Sequence, residues 1–159
     1  DVRYSSDGPT LLGTGGCLKK ALPMLGEHFF VYYGDSYLPI NFREVEQDFL
    51  ACNKPGLMTV LKNKDQWDKS NVLIKNNVII EYNKLSPTPE MLHIDYGLSI
   101  LSASVFSEQH NKIPLDLSDI YLELSTKGLL AGHEVYERFY EIGSHKGLGE
   151  TIKHFENKI

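Results

Sequence analysis

Cysteine is scarce in this chain: Cys17 and Cys52 are the only two among 159 residues. Two thiols cannot make a disulfide scaffold, and neither stands in a Cys-x-x-Cys or Cys/His array of the kind that holds zinc. Basic charge is also short. Sixteen Lys and Arg against 21 Asp and Glu leave a net charge of −5, which argues against a protein that grips nucleic acid by neutralising phosphates. No apolar run approaches the ~20 residues that a membrane-spanning helix needs, and no leader pattern is visible. The six histidines lack metal-ligand spacing. Nucleophile elbows, Walker-type phosphate loops, internal repeats, linkers and low-complexity tracts are missing too. The expectation is a single domain over residues 1–159 in a reducing cytoplasm, without nucleic-acid or membrane partners.

What is present is an ordinary globular mixture, 42% apolar and 23% charged, enough for a sizeable core. Val2 and Tyr4 in the opening "DVRYSSDGPT" have the look of a strand end. Leu18, Leu22 and Leu25 recur at helical spacing. "FFVYYGD", Phe29 to Asp35, is a continuous apolar run that suits a strand buried on both faces. Asn41 with Glu44 three positions on resembles a capping box, opening a helix expected to bury Phe42, Val45, Phe49 and Cys52. Gly56 then leads into the strand "LMTVL". Helix, strand, helix, strand is the signature of a parallel α/β sheet.

The style then changes. "NVLIKNNVIIEY" places two β-branched runs around Asn76-Asn77, and asparagine tolerates positive φ, so a tight hairpin is expected. "LSPTPE" is a proline-punctuated loop and "MLHIDYGLSIL" a strand. "DLSDIYLELSTKG" puts Leu117, Ile120, Tyr121 and Leu124 on one helical face, with Gly128 as its stop. "HEVYERFYEIGS" is mostly strand. A last helix is expected from about Leu148, with Ile152 and Phe155 inward.

Ligands of open parallel sheets gather beyond the carboxyl ends of the strands. Asp35 sits there, just past "FFVYY", and Glu141 follows the strand-like "RFY". Each alone is more simply a turn or strand-end acid. Together they have the chemistry to share one Mg²⁺, a hard cation that takes oxygen ligands and usually substrate phosphates as well. Lys84 stands between a hairpin strand and the proline loop, where a solvated lysine can be held toward a phosphate. His93 precedes a strand and reads as a packing residue. Gly13-Thr14-Gly15-Gly16 is either a plain turn or a loop that lets something flat or charged approach the backbone.

"LLGTGGCLKKA", "FFVYYGDSYLPIN", "EYNKLSPTPEMLHIDYGLSIL" and "ERFYEIGSHKGL" follow one another in an order that resembles the sugar-phosphate nucleotidyltransferases, or NDP-sugar pyrophosphorylases. The likeness is to the short bacterial branch with mannose- and heptose-1-phosphate guanylyltransferases, and it spans nearly the whole chain. It implies a Rossmann-like, GT-A-like α/β fold: a mixed, mostly parallel sheet flanked by helices, with a β-hairpin insertion. It implies that Leu12, Gly13, Thr14, Gly15 and Gly16 lie against the nucleotide base. Asp35 matches the family's Gly-Asp metal ligand, and Glu141 stands where the family commonly has Asp before Ile-Gly-Thr, so Mg²⁺ is the implied cofactor. Lys84 matches the lysine on the sugar phosphate. Asp95, Tyr96 and Gly97 stand where many relatives have Asn-Ala-Gly beside the sugar, with Glu81 and Tyr82 as further sugar-side positions. The implied reaction is attack of a sugar-1-phosphate oxygen on the α-phosphorus of an NTP, with pyrophosphate leaving; Asp35 and Lys84 are its implied catalytic residues.

One departure is large. The family's N-terminal Gly-rich signature with its Arg and Pro-Lys, which grips the triphosphate from the first strand and helix, is missing here. The chain is then a portion of a longer enzyme, inactive alone, or a shortened non-catalytic relative that binds sugar phosphate or nucleotide or pairs with another subunit. An exposed sheet edge where the first strand would lie favours association, including a homo-oligomer.

Overall fold

The computed structural model describes residues 1–106 and 113–158. Helix α1 (Thr14–Ala21) passes into a 3-10 turn at Leu22–Met24, and β1 (His28–Tyr32) and the short β2 (Ser36–Tyr37) follow. Then come α2 (Phe42–Cys52), β3 (Gly56–Lys62), β4 (Val72–Lys75), β5 (Val78–Tyr82) and β6 (His93–Ser102). The chain continues through α3 (Leu117–Thr126), β7 (Leu130–Val135), β8 (Tyr140–Glu141) and α4 (His145–Glu156). Residues 1–13 hold no strand, and Tyr4 is 90% exposed, so the strand end expected at Val2 and Tyr4 does not form.

Six strands form one sheet in the order β1-β6-β3-β7-β5-β4, and β2 pairs with β8 in a second, two-stranded ladder. A further pairing joins Val72 of β4 to His93 of β6. The α/β class, the mixed sheet and the hairpin all stand. The expected predominance of parallel pairing does not: among the described pairings only β3–β7 is parallel, and β1–β6, β3–β6, β4–β5, β4–β6 and β5–β7 are antiparallel. The physical reason is β6. Strands β1 and β3 do run the same way, as their alternation with helices implies. But the β4–β5 hairpin returns the chain without a crossover helix, and β6 then threads between β1 and β3 in the opposite sense.

The hairpin turn forms as its composition dictates, with Asn76 at φ 49 and Asn77 at φ 57, the left-handed pair of a type I′ turn. Asn41 caps α2 by accepting from Arg43 N, while its amide donates to Glu44 Oε1 at 2.8 Å. Val45 and Phe49 bury α2 against the sheet and Cys52 is half-buried, but Phe42 is 43% exposed. It lies edge-on over Phe30 and Tyr32 instead. Those two residues overturn the double burial expected of "FFVYY". Strand β1 is an edge strand, so Phe29 and Val31 pack on the core while Phe30 and Tyr32 are 38% and 44% exposed.

The central strand β3 splits two cores by its alternation. Met58 and Val60 join Ile79, Tyr82 and the buried face of α3, namely Leu117, Ile120, Tyr121 and Leu124. Leu57 and Leu61 join Val45, Phe49, Ile94 and Tyr96. Gly128, at φ 67, follows the end of α3 as expected. Helix α4 starts earlier than expected, because Ser144 caps it by accepting from Gly147 N. Its buried residues are Gly147 and Thr151, whose hydroxyl donates to Glu141 O at 2.9 Å; Ile152 stays 49% exposed, and Phe155, 40% exposed, lies edge-on to Tyr37 at 4.9 Å rather than in the core. Among the described residues no helix is long and apolar enough to cross a membrane.

Candidate functional site

Asp35 and Glu141 are brought together by the short β2–β8 ladder. Ser36 of β2 pairs with Glu141 of β8, and Ile142 N donates to Asp35 O at 2.9 Å. Their carboxylates converge on Gly143: a Cβ there would stand 2.9 Å from Asp35 Oδ2 and 3.3 Å from Glu141 Oε2. Glycine keeps this space clear between two acids. Ser36 Oγ donates to Asp35 Oδ1 at 3.2 Å. Glu141 accepts from Ser144 Oγ at 2.6 Å and Ser144 N at 2.9 Å, and these bonds, the hydroxyl's first, hold its carboxyl below the usual glutamate range. Gly147 completes the seat, since a Cβ on it would overlap Glu141 Oε1.

The two acids border a cleft of about 340 Å³ that Tyr33, Lys84, Asp95 and Gly97 also line. Lys84 Nζ lies 4.0 Å from Asp95 Oδ2 across it. Asp95 is the buried member, its side chain 8% exposed against 46% for Lys84. Burial raises its pKa, while Lys84 and the Gly97 amide pull it down. Gly97 N donates to Asp95 Oδ1 at 3.0 Å, and Asp95 N donates to Asn71 Oδ1 at 3.1 Å. The left-handed φ of 96° at Gly97 favours glycine within β6. Tyr33 stands over the group with its hydroxyl pushed up to about 12, by burial first and then by Asp95.

So Asp35, Glu141, Lys84, Asp95 and Gly97 meet in one cleft. Tyr96 borders it, but its ring is buried edge-on against Phe139, and its hydroxyl is enclosed without a hydrogen-bond partner. Tyr82 is a correction. It is 1% exposed in the core, edge-on to Tyr121 at 5.6 Å, and burial pushes its hydroxyl's pKa up. Tyr82 does not line the cleft of Asp35 and Glu141. Glu81 pairs with Leu73 in the hairpin and lies outside the cleft lining. His93 packs as expected, with Nε2 3.3 Å from Glu134 Oε1.

The glycine loop is tied to another segment of the chain. Gly15 N and Gly16 N donate to Leu115 O at 2.9 and 3.0 Å, and Leu115 N donates to Leu12 O at 2.8 Å. Thr14 Oγ1 accepts from Leu117 N at 2.8 Å. Gly13 has φ 78, and a Cβ on it would overlap Leu115 O. What approaches the bare backbone is another stretch of the same chain. The amides of Gly15 and Gly16 are used there.

Sequence reasoning missed the residues that seat the acids: Gly143, Ser144, Gly147 and Asn71. Gly147 left a signal, because a glycine inside a helix pattern commonly marks close packing. Among the described residues no group of three His, Cys, Asp or Glu is arranged to hold a metal ion, so a cation here would need oxygens from a ligand as well.

No protein-family model and no curated protein matches the sequence. Solved structures do match in shape. The inositol-1-phosphate CTP transferase from T. maritima superposes with a TM-score of 0.75 at 20% identity, covering 93% of this chain and 62% of its own. HddC from Yersinia pseudotuberculosis gives 0.74 at 16%, covering 92% and 64%. UDP-glucose pyrophosphorylase from Acinetobacter baumannii gives 0.74 at 16%, covering 92% and 57%. The chain therefore spans about three fifths of the length of these structures. With this mixed sheet and these neighbours, the chain has the fold of the sugar-phosphate nucleotidyltransferases.

Proposed function

We propose that this chain is the nucleotidyltransferase-like domain of an enzyme that moves NMP from an NTP to a sugar 1-phosphate. The observation that carries it is the meeting of the Asp35 and Glu141 carboxylates at Gly143, in the cleft that also holds Lys84. A phosphate oxygen of the sugar phosphate attacks the α-phosphorus, the bond to the β-phosphate oxygen breaks, and pyrophosphate leaves. Such a reaction asks the protein chiefly to position phosphates and offset their charge.

The donors fit Mg²⁺. Two carboxylates offer hard oxygens, and Gly143 leaves the space between them clear. Asp35 and Glu141 would hold the ion, and when bound it would neutralise phosphate charge. The chain's own contribution is Lys84, exposed enough to swing to a phosphate and kept in the cleft by Asp95. Lys84 is the one cation among the described residues lining this cleft, so residues 1–159 alone are expected to bind sugar phosphate without turning over NTP.

The test is Mg²⁺-dependent pyrophosphate release by the natural gene product from a panel of NTPs with hexose and heptose 1-phosphates, beside its Asp35→Asn variant. Turnover that falls at least ~10²-fold in the folded variant supports the assignment. Equal turnover by the two proteins, or no pyrophosphate from any pair, overturns it.

A further inference from the structure

Helix α4 meets the body through small and polar residues. Gly147, Thr151 and His154 recur at spacings of four and three and so share one side of the helix. Each of them touches β8. A Cβ on Gly147 would overlap Glu141 Oε1, and the Thr151 hydroxyl donates to Glu141 O at 2.9 Å. The His154 ring stacks on Tyr140, with centroids 3.8 Å apart and planes inclined by 27°.

This stack lies on the two-stranded ladder itself. Tyr140 of β8 pairs with Tyr37 of β2, and the next rung is Ser36 with Glu141. The His154 centroid is 6.0 Å from that of Tyr37, and Phe155 closes edge-on against Tyr37 at 4.9 Å. A ladder of two rungs has few hydrogen bonds of its own. The ring packing on the first rung therefore steadies the second, and with it the approach of Asp35 to Glu141.

A histidine is a costly choice for that place. Its Nε2 is enclosed without a hydrogen-bond partner among the described residues, a cost that an apolar ring would avoid. The neutral imidazole tolerates this, because one of its two nitrogens carries no hydrogen. The charged ring carries a hydrogen on each, and the enclosed Nε2–H would then lack an acceptor. The charges around the ring act in the same direction. Arg138, from the segment before β8, lies 4.6 Å from the centre of the Tyr140 ring, and Lys158, past the end of α4, lies 5.7 Å from that of Tyr37. Burial first, then Lys158 and Arg138, hold the imidazole below the ordinary histidine range, while Glu137 pulls it up. Glu150 is engaged by the Arg138 guanidinium at 2.6 Å.

We propose that His154 is a proton-sensitive positioning residue for the Asp35–Glu141 pair: neutral, it clamps β8 to β2 through Tyr140; charged, it leaves the stack and loosens the rung that joins the two acids. Its bearing on catalysis rests on the reading of that pair as the cation site. Because the fold favours the neutral ring, the stack is complete above the ordinary histidine range and is lost as pH falls through the lower value in the fold. Glu141, held below the usual glutamate range, stays ionised over that interval.

Two readouts on the natural gene product test this between about pH 8 and pH 5.5. The first is made without metal. The Ile142 amide, which donates to Asp35 O at 2.9 Å, is followed by hydrogen exchange, corrected for its intrinsic rate, beside the His154 ring resonances, assigned through their contact with Tyr140. The second is Mn²⁺ affinity over the same range. Ile142 protection should fall about 10-fold with the midpoint of the His154 resonances, and Mn²⁺ affinity should fall about 10-fold with it. His154→Phe keeps a stacking ring and cannot titrate, so both readouts should stay within about 2-fold across the range. Protection that ignores the His154 midpoint, or that falls equally in His154→Phe, overturns the proposal whatever Mn²⁺ does; the comparison of midpoints needs no variant. Protection that follows His154 while no Mn²⁺ binds at any pH upholds the clamp and overturns the cation reading. Mn²⁺ binding with protection that does not vary with pH does the reverse.

Discussion

Replacing Gly13 by alanine asks whether the glycine loop is a lock or a ligand surface. At φ 78 and ψ 164, a region that is essentially glycine's alone, an alanine costs about 1–3 kcal/mol of backbone strain. Its Cβ would overlap Leu115 O and stand 2.8 Å from Leu115 C and 3.0 Å from Leu115 N. The obstructing atoms are backbone, so no rotamer change relieves them. The Leu115 peptide must retreat, and it carries the bonds to Leu12 O, Gly15 N and Gly16 N, each worth about 0.5–1.5 kcal/mol. The expected loss is about 3–6 kcal/mol, a large part of the roughly 5–15 kcal/mol that holds a domain together. The melting temperature should drop by roughly 10–20 °C. Gly149→Ala is the matched control: a Cβ there meets nothing within 4 Å inside α4, and a gain of about 0.5–1 kcal/mol is expected. Thermal and urea unfolding followed by circular dichroism measures both. A loss under ~1 kcal/mol in Gly13→Ala would show that the loop is not locked on Leu115.

Gly147→Ala should push the Glu141 carboxylate off Ser144, since the new Cβ would overlap Glu141 Oε1 and stand 2.8 Å from the Glu141 backbone oxygen; a Mn²⁺ titration should show affinity falling about 10-fold, and the backbone contact should cost stability as well. Unchanged Mn²⁺ affinity would remove Glu141 from the metal site. Asp95, raised by burial against the pull of Lys84, favours its protonated form in the fold. Its stabilising contribution is therefore full below the ordinary aspartate range and is lost as pH rises through the raised value. Asp95→Asn keeps an oxygen for Gly97 N and removes the titration, so its urea midpoint should exceed the wild type's at neutral pH and vary less through the acid range. A lower midpoint at neutral pH would refute this account.

Features encoded within a few residues were legible before any coordinates. Asn41 with Glu44, the Asn76-Asn77 turn and the apolar face of α3 each depend on local geometry alone, and each forms. The faces of β1 were not legible, because an apolar run looks the same in the middle of a sheet and at its edge, and its one partner, β6, comes from far along the chain. Sheet direction failed for the same reason. Within the site, Asp35 and Glu141 could be named singly, but the ladder that joins them has two residues a side and leaves no pattern. The demand of Gly13 for close approach was visible, whereas the identity of the visitor, Leu115, was not. Two glycines within "HKGLGE" hid the first turn of α4, whose cap is Ser144.

Helix α3 has no side-chain cap of its own: Asp116 makes no such bond, and the first turn is closed by Thr14, which accepts from Leu117 N at 2.8 Å. A helix capped from the far end of the sequence exchanges its amide hydrogens on its partner's schedule. Every opening that lifts α1 away also uncovers the Leu117 amide, so the two segments make one cooperative unit in native-state hydrogen exchange. A proteolytic nick in the chain between them would leave the cap in place, held by contact rather than by covalent continuity.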